Sequence, residues 1–356
     1  MADPSALFSG SGPVRAEHRF DEARLERWLG ETIPDYEGPL RVEQFAGGQS
    51  NPTFKLVTGN RAYVLRRKPA GVLLKGAHAV DREARVIGAL GEAGFPVPKL
   101  YGLCTDDSVI GSWFYVMEMV EGRIFWQSAF PQLPQAERVA CFDAMNDTIA
   151  RLHRIDPISV GLADYGRPEG FLSRQVARWI RQYRDDPQAG RLADMDMLCE
   201  WLPANLPEER GAAIFHGDFR VDNMIFHPTE PRIVAVLDWE LSTLGDPLAD
   251  FTFHMMMYRL PPAIGGGLEG FDLPALGLPT EEDYVARYCR RTGRERIGHL
   301  DFYVAYNMFR LASIIHGIKG RHLRGTASSG NPGEIVDALP LLAARARRQA
   351  ERAQVV

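Results

Sequence analysis

Side chains that can bind a cation or accept a proton are concentrated in one short stretch of this 356-residue chain. Asp218 and Asn223 share the segment HGDFRVDN, and Asp238 follows in the segment LDWE. The apolar runs 223–226 and 232–237 can pair as a β-hairpin across the turn between them. Such pairing would bring Asn223 and Asp238 side by side at one end of a two-stranded ribbon.

An amide oxygen beside a carboxylate predicts a site for a hard cation. Mg²⁺ takes few protein ligands and keeps waters or phosphate oxygens in its remaining positions. Asp218 precedes the amide on an irregular loop, where its carboxylate could accept a proton from a hydroxyl group. The spacing therefore predicts a metal pair, Asn223 and Asp238, together with a general base.

The order of these motifs resembles that of a known family. HxDxxxxN followed by a strand-borne Asp is similar to the catalytic layout of the protein-kinase-like phosphotransferases. The forms HGDF and LDWE resemble the aminoglycoside phosphotransferase and choline kinase branch. More narrowly, GGQSNPTF, YVLRRKP, AHAVDRE, FYVMEMVEGRIF and DWELSTLGDPLADF resemble the phosphotransferase domain that occurs alone in bacteria and fused to acyl-CoA dehydrogenases. These blocks run from about residue 40 to about residue 319 in the family's order.

The resemblance implies roles for the residues of this stretch. Asp218 would be the catalytic base, and Asn223 and Asp238 the Mg²⁺ ligands. His216 would organise the loop, although a buried histidine with a structural role fits the residues equally well.

The small lobe of such a fold would hold the nucleotide. Gly47 and Gly48 allow the backbone to approach phosphates closely. Ser50 and Asn51 add polar atoms to the same turn. We therefore expect these residues to bind the phosphates of ATP.

A cation and a carboxylate are expected next to this turn. Alternation over 62–66 places Arg66 on one face of a strand, at the position where the family usually has a Lys. An Arg fork can bind phosphate and carboxylate together, although a shifted register would make Arg67 the contact. Glu83 shares an apolar face of the helix predicted over 79–90, where it either needs a cation or lies at the edge of that face in solvent. We expect Arg66 to be that cation.

The predicted fold class is α+β, a bilobal protein-kinase-like fold with a small β-rich N-lobe and a larger, mainly helical C-lobe. The domains expected are a flexible N-terminal extension over 1–20, the N-lobe over 21–119 and the C-lobe over 120–356. At the junction, the resemblance implies that backbone groups of Glu118 and Val120 bind the adenine edge of ATP.

Further carboxylates follow the predicted metal ligand. Asp246 precedes a proline and is a natural helix N-cap. The resemblance implies that Asp250 braces the catalytic loop through backbone bonds. Glu240 is expected to lie behind the metal or to contact it weakly. The short spacing from Asp238 to Asp250 leaves no room for the long activation segment of protein kinases, which favours a small-molecule acceptor.

Composition excludes other classes. The chain is 45% apolar and 24% charged, as globular proteins are. Its 41 basic and 46 acidic residues give a net charge of −5, so no nucleic-acid partner is expected. The four cysteines form no CxxC pair. No stretch resembles a membrane span or a secretory signal. A cytoplasmic location is therefore predicted. The oligomeric state is not indicated.

The function predicted is an ATP- and Mg²⁺-dependent kinase for a hydroxyl group of a small molecule. The dehydrogenase-fused relatives indicate a hydroxyacyl-CoA acceptor. An aminoglycoside kinase, and a nucleotide-binding pseudokinase without turnover, are the alternatives. The ranges 171–185 and 302–319 are expected to line the acceptor site. Their arginines Arg178, Arg181 and Arg310 would either bind an anionic acceptor or be ordinary surface or ion-pair residues.

Overall fold

The computed structural model describes residues 10–46, 51–69, 79–209, 211–325 and 333–354. The chain divides into two compact units. The first comprises Met1–Trp126, Val160–Leu162 and Asp222–Ser242, and the second comprises Gln127–Ser159, Ala163–Val221 and Thr243–Val356.

Strands and helices are numbered in chain order over the described residues. The strands are β1 (Ser11–Gly12), β2 (Arg41–Phe45), β3 (Thr53–Val57), β4 (Ala62–Arg67), β5 (Leu100–Cys104), β6 (Phe114–Glu118), β7 (Ala213–Phe215), β8 (Met224–Phe226), β9 (Ile233–Val236) and β10 (Thr243–Gly245). The helices are α1 (Glu22–Thr32), α2 (Val80–Glu92), α3 (Asp107–Ile110), α4 (Gln135–Arg154), α5 (Phe171–Arg184), α6 (Ala193–Ala204), α7 (Pro247–Met255), α8 (Leu273–Leu276), α9 (Glu281–Thr292), α10 (Leu300–Leu323), α11 (Gly333–Asp337) and α12 (Leu339–Ala353).

The first unit is built on an antiparallel sheet with the strand order β1-β2-β3-β4-β6-β5. The strand predicted over 62–66 is confirmed as β4, which extends one residue further. The turn at 59–60 joins β3 to β4, where the Thr58 N–H donates to the Arg61 carbonyl at 3.0 Å. Strand β1 lies in the segment 1–20 and pairs with the end of β2.

Helix α1 covers one face of this sheet and was not predicted. The Asp21 side chain caps its first turn by accepting from the Arg24 N–H at 3.0 Å. Leu25 and Leu29, one turn apart, are buried in the core cluster with Phe114 of β6. A capping Asp before apolar residues at helical spacing was therefore a signal present in the sequence.

Strands β8 and β9 form the predicted hairpin within the first unit. The Val236 N–H donates to the Pro96 carbonyl at 2.9 Å, and the Arg123 N–H donates to the Phe226 carbonyl at 2.8 Å. A side chain at position 122 would lie 2.3 Å from that Phe226 oxygen. Gly122 is therefore required for the hairpin to lie this close to the chain that leaves β6.

The second unit is mainly helical over its described residues. Helix α4 buries Phe142, Met145, Ile149 and Leu152, which recur at three- and four-residue steps along one face. Helix α10 is buried along most of its length. Among the described residues, no helix combines the length and apolar character that crossing a bilayer would require.

His254 of α7 is a buried neutral histidine. Its Nδ1 lies 3.1 Å from the carbonyl oxygen of Phe219, and its Nε2 lies 2.6 Å from the hydroxyl of Tyr284. Because a carbonyl only accepts, Nδ1 carries the proton and Nε2 accepts from Tyr284. Burial lowers the pKa of His254 to about 4.

This histidine makes stability depend on pH. The unfolded chain protonates His254 near its ordinary pKa of 6.5, whereas the folded chain does so only near 4. The stabilisation is therefore complete above pH 6.5 and is lost as the pH falls towards 4, by on the order of 2 kcal/mol between pH 7 and pH 5. In urea unfolding at these two pH values, His254→Gln should lose less stability than the wild type.

The matched control is His322→Gln, since His322 is exposed at the end of α10. This variant should keep the wild-type dependence on pH. Parallel pH profiles for His254→Gln and the wild type would contradict the prediction.

Candidate active site

The first unit encloses a cavity of 580 Å³. It is lined by β4 and β6, by residues 118–122 and by the ends of the β8–β9 hairpin. Arg66, Asn223 and Asp238 are among the lining residues, together with Glu118 and Val120. One cavity therefore contains the predicted cation, the predicted metal pair and the predicted adenine-binding backbone.

Arg66 is the central charge of this cavity. Its Nε lies 3.1 Å from Glu83 Oε2. Its Nη2 lies 2.8 Å from Asp238 Oδ1 and 3.1 Å from Glu240 Oε2. The side chain is only 12% exposed, so three carboxylates surround one largely buried guanidinium. Glu240, expected to lie behind the metal or to contact it weakly, shares Arg66 Nη2 with Asp238.

Glu83 lies on α2 and is 2% exposed. Its Oε1 accepts from the Asn51 amide at 2.9 Å, and its Oε2 accepts from the Tyr115 hydroxyl at 3.0 Å. Burial, together with the charges of nearby carboxylates, raises the pKa of Glu83 to about 7, although Arg66 and Tyr115 act in the opposite direction. The cavity therefore carries an excess of negative charge that a bound cation would reduce.

The structure distinguishes the two adjacent arginines of β4. Arg67 points to the opposite face, where its guanidinium lies 5.2 Å from the centre of the Phe20 ring and 5.5 Å from that of Phe54. It donates to the carbonyl oxygens of His18 and Ile110. Arg67 is thus a structural residue, and of the two arginines only Arg66 lines the cavity.

Asn223 and Asp238 stand abreast at the end of the hairpin. The Leu237 N–H donates to the Asn223 carbonyl at 2.8 Å, which extends the β8–β9 pairing by one step. Asp238 has a φ of 66° and a ψ of 61°, a left-handed conformation that is uncommon outside glycine, although Asp and Asn adopt it more readily than other residues. Sequence reasoning placed Asp238 after a strand but did not anticipate this backbone conformation.

The donor set fits Mg²⁺ that arrives with a nucleotide. Within the described ranges, no group of three or more His, Cys, Asp or Glu side chains forms a metal cluster. Asn223 and Asp238 supply two hard oxygens beside a cavity. Mg²⁺ is commonly held by one or two carboxylates plus substrate phosphates and waters, so this pair is sufficient.

The apolar part of the cavity can hold a flat ring. Val64, Met117 and Ile225 contribute apolar side chains to its wall. The Glu118 N–H already donates to the Lys99 carbonyl at 2.8 Å, which leaves its carbonyl as the backbone group for a ligand. The Val120 N–H has no backbone acceptor among the described residues. A carbonyl and an N–H beside an apolar wall suit the edge of an adenine.

The predicted phosphate-binding turn is only partly described. Gly47, Gly48 and Ser50 lie outside the described residues. Asn51 is fully buried, and its amide donates to Glu83. Its position therefore links the end of this turn to α2.

In the second unit, the loop that carries Asp218 is held by its backbone. Asp250 of α7 accepts from the N–H of His216 at 2.7 Å and from that of Gly217 at 2.9 Å. Gly217 has a φ of 87°, which a residue with a side chain would rarely adopt. The buried His216 ring accepts from the Asp218 N–H at 3.1 Å through Nδ1. The brace expected from Asp250 is present.

The other residues singled out in the second unit have structural contacts. Asp246 caps α7 by accepting from the Leu248 N–H at 2.9 Å. Arg310 is 4% exposed and donates to the Gly217 carbonyl at 2.5 Å. This contact of Arg310 with the backbone of the loop that carries Asp218 was not predicted. Asp218 is partly exposed, with Arg220 Nε at 3.4 Å.

Some residues of the two units were not identified from the sequence. Tyr115 lies in the middle of β6 and reads as an ordinary core aromatic, yet its hydroxyl is a partner of Glu83. His153 of α4 lies 3.2 Å from Asp250. Neither pairing could be predicted from the sequence, because the two partners are far apart in the chain.

Comparison with known proteins agrees with these observations. A model of the phosphotransferase enzyme family, APH, matches residues 41–298. Acyl-CoA dehydrogenase family member 11 of Gallus gallus is 44% identical over 356 residues, which cover 98% of this chain and 46% of that protein. The chain thus spans less than half of the length of this curated relative.

Two solved structures extend the comparison. A candidate aminoglycoside phosphotransferase of Ralstonia eutropha is 45% identical, with a TM-score of 0.86 over 94% of this chain and 99% of that one. Choline kinase of Cryptosporidium parvum is 12% identical, with a TM-score of 0.60 over 94% and 96% of the two chains, and this likeness concerns the fold alone. The protein-kinase-like fold predicted from the sequence is confirmed, and the chain belongs to the phosphotransferase enzyme family.

Proposed function

We propose that the protein is an ATP- and Mg²⁺-dependent kinase that transfers the γ-phosphoryl group to a hydroxyl of a small molecule. The observation that carries this proposal is the cavity of the first unit, where Arg66, Asn223 and Asp238 line the same space. Phosphoryl transfer depends mainly on positioning and on neutralising charge. The Arg66 guanidinium, beside the oxygen ligands of Asn223 and Asp238, can supply both the positioning and the charge neutralisation.

In this proposal Arg66 binds phosphate oxygens of the nucleotide, while Glu83 lies against the Nε of the Arg66 guanidinium. The planar guanidinium has donors on several edges, so it can serve a carboxylate and a phosphate together. Asn223 and Asp238 would hold Mg²⁺, which when bound neutralises charge on the phosphates. The backbone of Glu118 and Val120 would bind the adenine edge.

Asp218 is proposed as the general base. Its carboxylate would accept the proton of the acceptor hydroxyl as the oxygen attacks phosphorus. The loop that carries it is held by Asp250 and Arg310 through backbone bonds. A loop held in this way keeps a catalytic carboxylate in one position.

The proposed acceptor is a hydroxyacyl-CoA ester. Several relatives are named as acyl-CoA dehydrogenase family members, from Gallus gallus, Mus musculus and Homo sapiens. These names say what those longer proteins are, and the chain matches only part of each. A phosphotransferase region joined to such an enzyme is expected to act on a related thioester.

Asp218→Asn should strongly lower the rate of transfer without loss of nucleotide binding. Removing a general base lowers turnover by about 10²- to 10⁴-fold. ADP release and the dissociation constant for an ATP analogue should be measured on the same preparation. The matched control is Asp222→Asn, which changes a neighbouring carboxylate that does not line the cavity. Wild-type turnover by Asp218→Asn would exclude the proposed role.

The acceptor is tested by measuring ADP release with three kinds of compound. These are hydroxyacyl-CoA esters, the corresponding free hydroxy acids, and aminoglycosides. We expect the CoA esters alone to stimulate ADP release strongly and to yield a phosphorylated ester. If only aminoglycosides stimulate ADP release, the acceptor is an aminoglycoside and not a CoA ester. If the protein binds ATP but no compound yields a phosphorylated product, the kinase function is contradicted.

A further inference from the structure

The second unit contains a separate cavity of 240 Å³. One wall is a single face of α12, since Arg345, Arg348, Gln349 and Arg352 recur at helical spacing. A single water needs only about 15 Å³ of such space, so the cavity has room for a polyatomic ligand. Its lining differs entirely from that of the nucleotide cavity.

Two arginines of this cavity are already neutralised. Arg259 donates from Nε to Glu281 Oε1 at 2.9 Å, and it also pairs with Asp301. Arg345 donates from Nε to Glu269 Oε2 at 3.0 Å. The carboxylates near these two arginines therefore already form ion pairs with them.

The other two arginines are not neutralised in this way. Within the described part of the chain, no carboxylate lies within ion-pair distance of Arg348 or Arg352. Both side chains line the cavity. Both residues are exposed to solvent. Since guanidinium groups are always charged, the open side of the cavity carries two positive charges that have no carboxylate partner among the described residues.

Two buried donors of the same cavity also lack a partner. Tyr258 is 8% exposed, and its hydroxyl makes no hydrogen bond to any described residue. Arg345 Nη1 is buried and likewise has no acceptor among the described residues. A buried donor without an acceptor costs about 1–3 kcal/mol, and a ligand that accepts hydrogen bonds would recover that cost.

These groups select the chemistry of the ligand. Guanidinium groups donate but cannot accept, and Tyr258 has a hydroxyl to donate. Several converging donors with excess positive charge suit an anion with several oxygens. Arginine forks match the geometry of phosphate, on which they form paired hydrogen bonds.

We propose that this cavity is a second ligand site, which binds a phosphate group carried either by inorganic phosphate or by a phosphomonoester. Arg348 and Arg352 supply the charge, and Tyr258 and Arg345 Nη1 supply buried donors. The site is independent of the kinase assignment, because none of these residues lines the nucleotide cavity.

The test is calorimetric titration of the full chain with inorganic phosphate at constant ionic strength. The wild type should bind phosphate at this site, and the double variant Arg348→Ala/Arg352→Ala should bind it at least about tenfold more weakly, since each charged hydrogen bond contributes about that factor or more. Arg347→Ala is the matched control. Arg347 lies on the same helix but pairs with Asp194 at 3.1 Å and Glu351 at 2.8 Å.

A second variant separates binding from folding. Tyr258→Phe removes only the hydroxyl, so without phosphate its unfolding temperature should equal or exceed that of the wild type. The rise in unfolding temperature on adding phosphate should be smaller than in the wild type. Equal phosphate affinity in the wild type and the double variant, an equal loss in Arg347→Ala, or no phosphate binding by the wild type would each overturn the proposal.

The source of the phosphate is distinguished by a parallel titration with glycerol 3-phosphate. Tighter binding of the ester than of inorganic phosphate supports a phosphomonoester ligand. Tighter binding of inorganic phosphate supports the free ion. In either case the α12 double variant should reduce the affinity.

Discussion

A carboxylate buried on the apolar face of a helix is stable only beside a cation, and in the first unit this requirement links Glu83 to Arg66. The pair fixes α2 against β4. It also orients the far edge of the guanidinium, which lies near Asp238 and Glu240. A lysine has a single compact ammonium, whereas an arginine can place Nε and Nη2 close to carboxylates on different sides. This geometry explains how the chain accommodates an Arg at the position where the family usually has a Lys. Breaking a buried pair of this kind by removing one partner typically costs about 3–5 kcal/mol.

In the second unit, side chains hydrogen-bond to the backbone of the loop that carries Asp218 and so hold that loop in place. Asp250 accepts two N–H groups of the loop, Arg310 donates to the Gly217 carbonyl, and His254 donates to the Phe219 carbonyl. These three side chains come from α7 and α10. The helices of this unit thus serve as a scaffold for the loop that carries Asp218, and the loop needs no regular structure of its own.

The sequence predicted the features that depend on neighbours in the chain. Alternation identified the strands around Arg66, and an apolar helix face with one carboxylate identified Glu83 as needing a cation. Features that depend on distant residues could not be predicted. The bond from Arg310 to the loop that carries Asp218 joins residues far apart in the chain. The sequence alone does not show that this helical arginine is buried. The left-handed backbone of Asp238 depends on the closing of the hairpin, for which the residue type gives only a weak preference.

The most direct measurement of the central claim is the affinity of Arg66→Met for ATP and for Mn²⁺, each determined by calorimetry. If Arg66 holds the nucleotide phosphates and shares Asp238 with the metal site, the variant should bind Mg·ATP at least about tenfold more weakly. Without nucleotide it should bind Mn²⁺ more tightly than the wild type does, because Asp238 and Glu240 lose their cationic partner. Unchanged affinity for Mg·ATP in Arg66→Met would contradict the account.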